Sequence, residues 1–282
     1  MSDGLLTQDE IRHLESIARE NRATALKMIH RAGSGHPGGM LSVADIITHL
    51  YERELRVCPE RPDWQDRDRM VLSKGHACPV LYAELSRRGF FSPEHLMLLR
   101  TPGAILQGMP DRRLTPGVDM TAGSLGIGFS AAVGMALAAR LRKSPARVYC
   151  IIGDGEIAEG MIWEGILFAA HWSLDNLVCF LDHNGYSSDS AVRTVLNVEP
   201  YAAKLAAFGW EVLEIDGHDF QEIEYALRRA TVSQRPFFVV AHTAKGKGVP
   251  YMEHDPAWHG SLALTDEQLA SALASLGGGG ET

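Results

Sequence analysis

Short apolar segments alternate with helical segments along almost the whole chain. Several of the apolar segments lack polar positions entirely, as in parallel strands that helices cover on both faces. Strands that alternate with helices form βαβ units and a doubly wound sheet. We therefore predict an α/β fold with a doubly wound, mostly parallel sheet flanked by helices. The predicted strands are residues 69–73, 148–152, 177–182, 210–216 and 237–243.

The segments between these strands have the periodicity of amphipathic helices. Three long loops that contain Gly and Pro lie at 33–40, 101–128 and 244–262, and loops of this length usually carry function. There is no internal repeat or interior linker, so we predict a single domain at 1–276 and a flexible Gly-rich tail at 277–282. The predicted helices are 8–32, 43–56, 78–88, 129–143, 160–173, 200–208, 219–232 and 265–275.

Composition excludes several classes of function. The chain has 282 residues and a formal net charge of −8, which argues against nucleic acid or an anionic membrane as partner. The N-terminal 22 residues are too polar for a signal peptide, and no apolar run approaches the roughly 20 residues of a membrane-spanning helix. The 4 cysteines form no CxxC pair. We expect a cytoplasmic protein in a reducing compartment.

Polar side chains follow two neighbouring predicted strands. Asp154 lies between Gly153 and Gly155 at the end of one strand, and Asn184 follows the next. Ligands of open α/β sheets bind beyond the carboxyl ends of the strands, and carboxylate and amide oxygens suit Mg²⁺ or Ca²⁺ bridged to phosphates. The alternative is a glycine-rich turn with a capping aspartate and an unrelated Asn-Gly turn. The spacing of one helix between the two side chains favours the ion site.

A glycine-rich loop runs into an alanine-rich helix at 121–141. Gly126, Gly128 and Ala131 fit the G-x-G-x-x-A pattern of dinucleotide-binding proteins. That pattern requires a buried strand directly before the glycines, and the preceding TPGVDM is a poor strand. A loop that approaches a different cofactor is the favoured interpretation.

Histidines and lysines occur in the same predicted loops. His36 lies among glycines, and His76 follows a strand and precedes a helix. An imidazole there can donate to a phosphate or transfer a proton, although each histidine taken singly is more often structural. Lys245 and Lys247 could pair with phosphate, or they could belong to a solvated basic loop that ends at His259.

Taken together, these motifs resemble the N-terminal half of transketolase. More narrowly, they resemble the separate N-terminal subunit of split transketolases. The resemblance covers roughly residues 8–262 and is carried, in order, by GSGHPGG, DRMVLSKGHA, GSLG, GDGEIAEG with LDHNG, AKGKG and WHG. It implies the thiamine diphosphate-binding fold, a cofactor diphosphate held through Mg²⁺, and transfer of a two-carbon ketol unit from a ketose, such as a sugar phosphate, to an aldehyde.

The resemblance also implies roles for individual residues. Asp154, Asn184 and the Tyr186 carbonyl would bind the metal ion. Gly123, Leu125 and Glu159 would face the aminopyrimidine side of the cofactor or the subunit contact that supports it. His36 would face the substrate. The implied catalytic residues are His36, His76 and His259. The implied cofactor contacts are His76, Gly123, Leu125, Gly153, Asp154, Gly155, Glu159, Asn184, Lys245 and His259.

Four positions depart from the family pattern. Met109 replaces a histidine that normally meets substrate, and Ile127 replaces an amide. Ser188 stands where an apolar residue is common beside the cofactor, and Ser261 stands in place of a lysine. Methionine cannot donate a hydrogen bond. Our hypothesis is that the substrates are not the usual pair of pentose phosphates and that an apolar or less phosphorylated sugar is used.

The family's second domain, which supplies the glutamate that activates the aminopyrimidine, has no counterpart in this sequence. The resemblance therefore implies an inactive lone chain, a separate C-terminal partner subunit and assembly as α2β2. Three alternatives remain: the α subunit of a thiamine diphosphate-dependent 2-oxoacid dehydrogenase or decarboxylase, a nicotinamide-dependent oxidoreductase, and a non-catalytic regulatory subunit. SGHPGG and LSKGHA oppose the first. The sequence identifies neither the donor, the acceptor nor the pathway.

Overall fold

A computed structural model of the protein describes residues 5–277. Its main sheet has the order β1-β2-β3-β7-β6, and every neighbouring pair of strands is parallel. The predicted α/β sheet is thus confirmed. In chain order the strands are β1 (Arg69–Leu72), β2 (Val148–Gly153), β3 (Leu177–His183), β4 (Tyr186–Ser187), β5 (Ser190–Ala191), β6 (Glu211–Asp216) and β7 (Phe237–His242), with β4 and β5 forming a small antiparallel pair.

Most helices follow the predicted segments, whereas the short helix Val192–Val195 was not predicted. In chain order they are α1 (Gln8–Ala32), α2 (Pro37–Ser42), α3 (Ala44–His49), α4 (Cys78–Arg87), α5 (Ile127–Leu141), α6 (Gly160–His171), α7 (Val192–Val195), α8 (Tyr201–Ala207), α9 (Phe220–Val232) and α10 (Asp266–Ser275). The predicted helix 43–56 is divided into α3 and a π-helical turn, Leu50–Glu54. The predicted loop 33–40 was wrong in part, because α2 begins at Pro37, whose fixed φ favours the first position of a helix.

The two faces of the sheet bury separate apolar clusters. Tyr149 and Ile151 of β2 belong to the cluster that includes α1, α3, α4 and α9. Cys150 and Ile152, which alternate with them, belong to the cluster that includes α5, α6 and α8. Alternate side chains of a strand point to opposite faces. The helices therefore cover both faces, as the uninterrupted apolar strands predict.

The register of the parallel strands brings their carboxyl ends together. Gly153 is paired with Asp182, and His183 with His242, so the loops that follow β2, β3 and β7 leave the sheet at one edge. The loop before α2 joins them from another part of the chain. Its Gly35 N–H donates to the Leu262 carbonyl at 3.1 Å, and Leu262 N–H donates back at 3.2 Å.

Within residues 5–277, no helix combines the length and the apolar character that a membrane crossing requires. Of the predicted tail only Gly277 is described, and residues 278–282 lie outside the described part of the chain.

Candidate functional site

A cavity of about 190 Å³ opens at the carboxyl edge of the sheet. All the predicted site residues except Glu159 line it. Glu159 is exposed and precedes α6 outside the cavity, where it is available to a contact between subunits. The cavity also contains residues to which the sequence had assigned no role in the site. Its lining is His36, Gly39, Lys74, His76, Met109, Gly123, Leu125, Gly153, Asp154, Gly155, Glu156, Asn184, Tyr186, Ser187, Ser188, Lys245 and His259.

Asp154 is almost completely buried at the end of β2, with 1% of its surface exposed. Its Oδ2 accepts a hydrogen bond from Gly185 N–H at 2.6 Å and lies 3.3 Å from His183 Nδ1. Burial, and then the nearby Asp182 carboxylate, raises the pKa of Asp154. A cation would offset both effects, and no described residue donates a hydrogen bond to Oδ1. The residue thus suits a metal ligand better than a capping side chain.

Asn184 and Tyr186 present further oxygen atoms beside Asp154. Asn184 Nδ2 donates to Asp182 Oδ2 at 2.8 Å, which fixes the orientation of the amide and leaves Oδ1 as its acceptor. That Oδ1 accepts from Tyr186 N–H at 3.1 Å within a tight turn. Among residues 5–277 no cluster of three or more His, Cys, Asp or Glu side chains could hold a metal. A site here therefore depends on one carboxylate, one amide and a main-chain carbonyl, a set that suits Mg²⁺.

A buried ion pair between Lys74 and Asp182, to which the sequence had assigned no role, lies next to Asn184. Lys74 Nζ donates to Asp182 Oδ2 and to the Gly39 carbonyl, the latter at 2.8 Å. Asp182 also accepts from Ser42 Oγ at 2.7 Å and from Thr243 Oγ1 at 2.5 Å. Although burial opposes ionisation, the Lys74 ammonium and these donors lower the pKa of Asp182. Asp182 therefore stays ionised and anchors Asn184.

Three histidines in the cavity lining form a triangle. The ring centroids are 5.2 Å apart for His36 and His76, 5.4 Å for His76 and His259, and 5.6 Å for His36 and His259. His36 Nδ1 is buried and has no hydrogen-bond partner among the described residues. Gly260 allows this approach, because a Cβ atom there would overlap the His36 ring.

The cavity keeps these imidazoles neutral. Burial, and then Arg100, lowers the pKa of His36, while burial followed by Lys74 lowers that of His76 far more. Burial and the neighbouring Lys245 lower the pKa of His259 to about 4. A neutral imidazole has one N–H donor and one acceptor nitrogen, so each ring can both orient an oxygen and accept a proton.

Lys245 points into the cavity, whereas Lys247 does not line it. The Lys245 ammonium donates to the Ser188 carbonyl at 2.6 Å and lies 3.4 Å from His259 Nδ1. Burial lowers the pKa of Lys245 to about 8. The residue is a cation at neutral pH with few partners, which suits a phosphate-binding role.

Glu156, a residue of the GDGEIAEG motif to which the sequence had assigned no role, fixes the glycine-rich loop. Its Oε1 accepts from Ser73 Oγ at 2.5 Å and from Gly126 N–H at 2.8 Å. Its Oε2 accepts from Gly153 N–H at 3.2 Å. Gly126 has φ +85°, a conformation that favours glycine. No strand precedes it within residues 101–126, so the dinucleotide pattern lacks its required strand.

Of the four residues that depart from the family pattern, Met109 and Ser188 line the cavity. Met109 lines the cavity and, with His36, Gly108 and Arg100, a more open space of about 510 Å³ beside it. Arg100 Nη1 donates to Ser34 Oγ at 2.9 Å. No motif indicated this arginine, because it enters from the separate loop after residue 98.

The other three departures are also on the surface or in turns. Ile127 is the first residue of α5 and is 41% exposed. Ser188 and Ser261 have φ +55° and +56° in tight turns. Ser188 contributes its carbonyl to Lys245, a main-chain contact that does not depend on its side chain.

Comparison with known proteins identifies the family. Residues 14–280 match the family described as "Transketolase, thiamine diphosphate binding domain". The 6-deoxy-6-sulfo-D-fructose transketolase subunit SqwG of Clostridium sp. (strain MSTE9) is 43% identical over 95% of this chain and 97% of its own length. An apulose-4-phosphate transketolase subunit of Phocaeicola vulgatus is 37% identical over 94% of both chains.

Longer relatives contain the same unit as a part. The crystal structure of transketolase from Campylobacter jejuni superimposes with a TM-score of 0.90 at 35% identity, over 94% of this chain but 43% of that one. Human transketolase is 36% identical over 90% of this chain and 40% of its own length. These matches favour the transketolase resemblance over the 2-oxoacid dehydrogenase and nicotinamide alternatives. The chain therefore belongs to the transketolase family, as a subunit-length member that corresponds to its thiamine diphosphate-binding domain.

Proposed function

We propose that this chain holds thiamine diphosphate through Mg²⁺ and acts, with a C-terminal subunit, in transfer of a two-carbon ketol unit from a ketose to an aldehyde. The observation that carries the proposal is one cavity in which Asp154, the Lys245 ammonium and three neutral histidines meet. In a site that only stabilises the fold, buried polar atoms are expected to have protein partners.

The residues divide into two sets by their chemistry. Asp154, Asn184 and the Tyr186 carbonyl would hold Mg²⁺, and Lys245 would pair with a phosphate group. Gly155 keeps the approach open, since a Cβ atom there would lie 2.8 Å from Ser187 Oγ. Bound thiamine diphosphate supplies the nucleophilic carbon and electron sink that breaking a ketose C2–C3 bond requires.

The histidines would act on substrate oxygens. A neutral imidazole can donate to a ketose carbonyl or hydroxyl and can take up a hydroxyl proton as the carbon–carbon bond breaks. Positioned general acids and bases contribute typically 10²–10⁴-fold to rate. His36 borders the open space beside Met109, and its Nδ1 has no hydrogen-bond partner among the described residues.

Exposed apolar side chains support a multi-subunit assembly. Leu167, Phe168 and Trp172, on and just after α6, are 54%, 42% and 45% exposed. An apolar patch of this kind marks a protein–protein contact more often than a free surface. Together with the exposed Glu159, this patch supports contact with another subunit. We propose that the assembly is α2β2, that it is cytoplasmic, and that its C-terminal subunit supplies the activating glutamate.

The altered cavity mouth bears on the donor sugar. The relative that is 43% identical is named for 6-deoxy-6-sulfo-D-fructose. A sulfonate carries a single negative charge and a phosphate monoester between about 1.5 and 2 at neutral pH. Loss of a histidine donor at Met109, beside Arg100, suits the less charged group. We propose a ketose with a singly charged terminal group as donor.

Donor cleavage by the assembled two-subunit enzyme tests the proposal. With thiamine diphosphate, Mg²⁺ and an aldose phosphate acceptor, we expect turnover of 6-deoxy-6-sulfo-D-fructose to exceed that of xylulose 5-phosphate. The lone chain should be inactive. Comparable turnover of xylulose 5-phosphate with ribose 5-phosphate would refute the donor assignment, full activity of the lone chain would refute the need for a partner, and inactivity of the assembly with every ketose would favour a regulatory subunit.

A further inference from the structure

A second and larger cavity, of about 640 Å³, lies at the opposite edge of the sheet. Its lining includes Arg69 and Val148, the first residues of β1 and β2, and it shares no lining residue with the cavity described above. The six residues of β2 separate the two edges by about 20 Å. A small ligand bound here therefore cannot reach the histidines.

Positive charge is concentrated in this cavity. Five arginines and two aspartates line it, although the chain as a whole has a formal net charge of −8. The charged lining residues are Asp63, Arg67, Arg69, Arg112, Arg113, Asp119 and Arg142. In an acidic protein, a local excess of positive charge attracts anions to one place on the surface.

Ion pairs within the chain neutralise only part of the positive charge of these arginines. Asp119 Oδ1 lies 2.6 Å from Arg67 Nη2 and 3.6 Å from Arg69 Nε, so a single carboxylate serves two guanidinium groups. Burial, and then the positive charge of Arg67, lowers the pKa of Arg69. Arg113 pairs with Asp111 at 2.7 Å and is 80% exposed at the rim.

Two arginines remain available to a ligand. In the described part of the chain the Arg112 guanidinium forms no hydrogen bond or ion pair, and Arg142 has one long contact, 3.5 Å from its Nη1 to Gln65 Oε1. Arg112 belongs to the long loop before α5, whereas Arg142 follows the C-terminus of α5. Guanidinium groups bind phosphate oxygens in a bidentate manner, so two arginines from different segments suit two separate anionic groups.

Apolar side chains line the rest of the cavity. They include Leu114, Val118, Met135, Ala139 and Val148. A surface of this kind holds the uncharged body of an organic ligand, and the volume falls within the roughly 300–1,000 Å³ of small-molecule sites. Because the cavity combines arginines with an apolar lining, an organic anion fits it better than a simple inorganic ion.

We propose that this cavity is an effector site for a small organic molecule with at least two phosphate groups, bound by Arg112 and Arg142. The site is connected to the first cavity through one loop. Arg112 N–H donates to Thr121 Oγ1 at 3.1 Å, and Ala122 N–H donates to the Pro110 carbonyl at 3.2 Å. These bonds lie directly beside Met109 and Gly123, so the loop that contacts the effector also lines the first cavity.

Isothermal titration calorimetry on the chain, with saturating thiamine diphosphate and Mg²⁺, tests the proposal. The probes are ADP and fructose 1,6-bisphosphate, with inorganic phosphate as the comparison anion. We expect one-site binding of at least one probe, and binding weaker by about tenfold or more in the double variant R112Q/R142Q. The control R12Q/R19Q removes the same charge from the exposed face of α1, and its affinity should match the unmodified protein.

Ala138→Glu provides an independent variant, because Ala138 is an exposed helical residue that lines the cavity. Its carboxylate should abolish probe binding without removing an arginine. Failure of both probes to bind would overturn the proposal. The same conclusion would follow if inorganic phosphate bound as tightly as the probes, if R12Q/R19Q weakened binding as much as R112Q/R142Q, or if Ala138→Glu left binding unchanged.

Discussion

Lys74 and Asp182 form a completely buried ion pair beneath the predicted metal site, with side chains 3% and 0% exposed. The pair joins the turn after β1 to the end of β3. Burying two charges costs several kcal/mol each, and their mutual attraction offsets this cost only while both are present. The pair is therefore a sensitive point of the fold and of the site that it supports.

We expect Lys74→Met to lower the free energy of unfolding by about 3–5 kcal/mol, because it leaves Asp182 charged and buried. Denaturant titration measures this change. The double variant K74M/D182N should lose clearly less than the sum of the single losses, since neither charge remains. Arg12→Gln, which breaks an exposed pair with Asp9, is the control and should cost less than about 1 kcal/mol. Equal losses in Lys74→Met and Arg12→Gln would contradict this expectation.

Asp154→Asn should separate stability from cofactor binding. The buried carboxylate has a raised pKa, so neutralising it should leave the melting temperature of the cofactor-free chain unchanged or slightly higher. At 100 times its dissociation constant, thiamine diphosphate with Mg²⁺ stabilises the unmodified chain by roughly 2.7 kcal/mol. That gain should vanish in the variant.

Thermal melts with and without thiamine diphosphate plus Mg²⁺ give both quantities for Asp154→Asn. Mg²⁺ alone and NAD⁺ serve as comparison ligands. An undiminished cofactor-induced shift in the variant would remove Asp154 from the metal site.

His259 should make the protein less stable as the pH is lowered. The folded-state pKa of His259 is lowered to about 4, whereas an unfolded histidine titrates near 6.5. Between pH 6.5 and 4 the unfolded chain therefore binds more protons, and stability falls as the pH is lowered through this window. Between pH 6.5 and pH 4, the free energy of unfolding of His259→Gln should fall by on the order of 1 kcal/mol less than that of the unmodified chain. This figure allows for the partial exposure of the ring.

Denaturant titrations at pH 7 and pH 4.5 measure the free energy of unfolding of the unmodified chain and of His259→Gln. The difference between the two proteins isolates His259, because the contributions of the other titrating groups cancel. His13→Gln is the control, because His13 lies on the exposed face of α1. Parallel stability curves for the unmodified chain and His259→Gln would mean that the ring is not held neutral by the fold.

Much of the fold follows from the sequence for a simple reason. Residues 148–152 and 237–241 are apolar at every position and completely buried, as in strands that are covered on both faces. The loops at their carboxyl ends then had to meet, which is why Asp154 and Asn184 could be placed together. The three histidines could be assigned to one site only through the family motifs, because their loops are far apart in the chain.

The remaining features depend on contacts that no local pattern encodes. Asp182 was the last residue of a predicted strand, but its pairing with Lys74 follows from the order and register of β1, β2 and β3. The arginine-rich cavity combines a loop, the start of β1 and the end of α5. Surface arginines occur in most proteins, so only their convergence in space distinguishes Arg112 and Arg142.

Lys245 predicts an alkaline limit for cofactor binding. Its pKa in the ligand-free protein is about 8, so the ammonium that would pair with the diphosphate is lost above that pH. We expect the affinity for thiamine diphosphate to fall by up to about tenfold per pH unit above 8, since one proton is taken up on binding. Lys245→Met should bind more weakly at pH 7 and lose this pH dependence, whereas Lys247→Met should behave like the unmodified chain. Calorimetric titration at pH 7, 8 and 9 measures both, and a shared pH profile for the two variants would exclude Lys245 as the titrating group.

Met109 provides the most direct test of the proposed donor. Met109→His restores a hydrogen-bond donor beside His36 at the open space that Arg100 also lines. In the assembled enzyme we expect the ratio of kcat/KM for xylulose 5-phosphate to that for 6-deoxy-6-sulfo-D-fructose to rise about tenfold or more, because one charge-assisted hydrogen bond is worth at least about 1.5 kcal/mol. Met109→Leu keeps the apolar character and similar volume, so its ratio should stay near that of the unmodified enzyme. If Met109→His and Met109→Leu change the ratio equally, the effect arises from packing, and hydrogen bonding at this position does not select the donor.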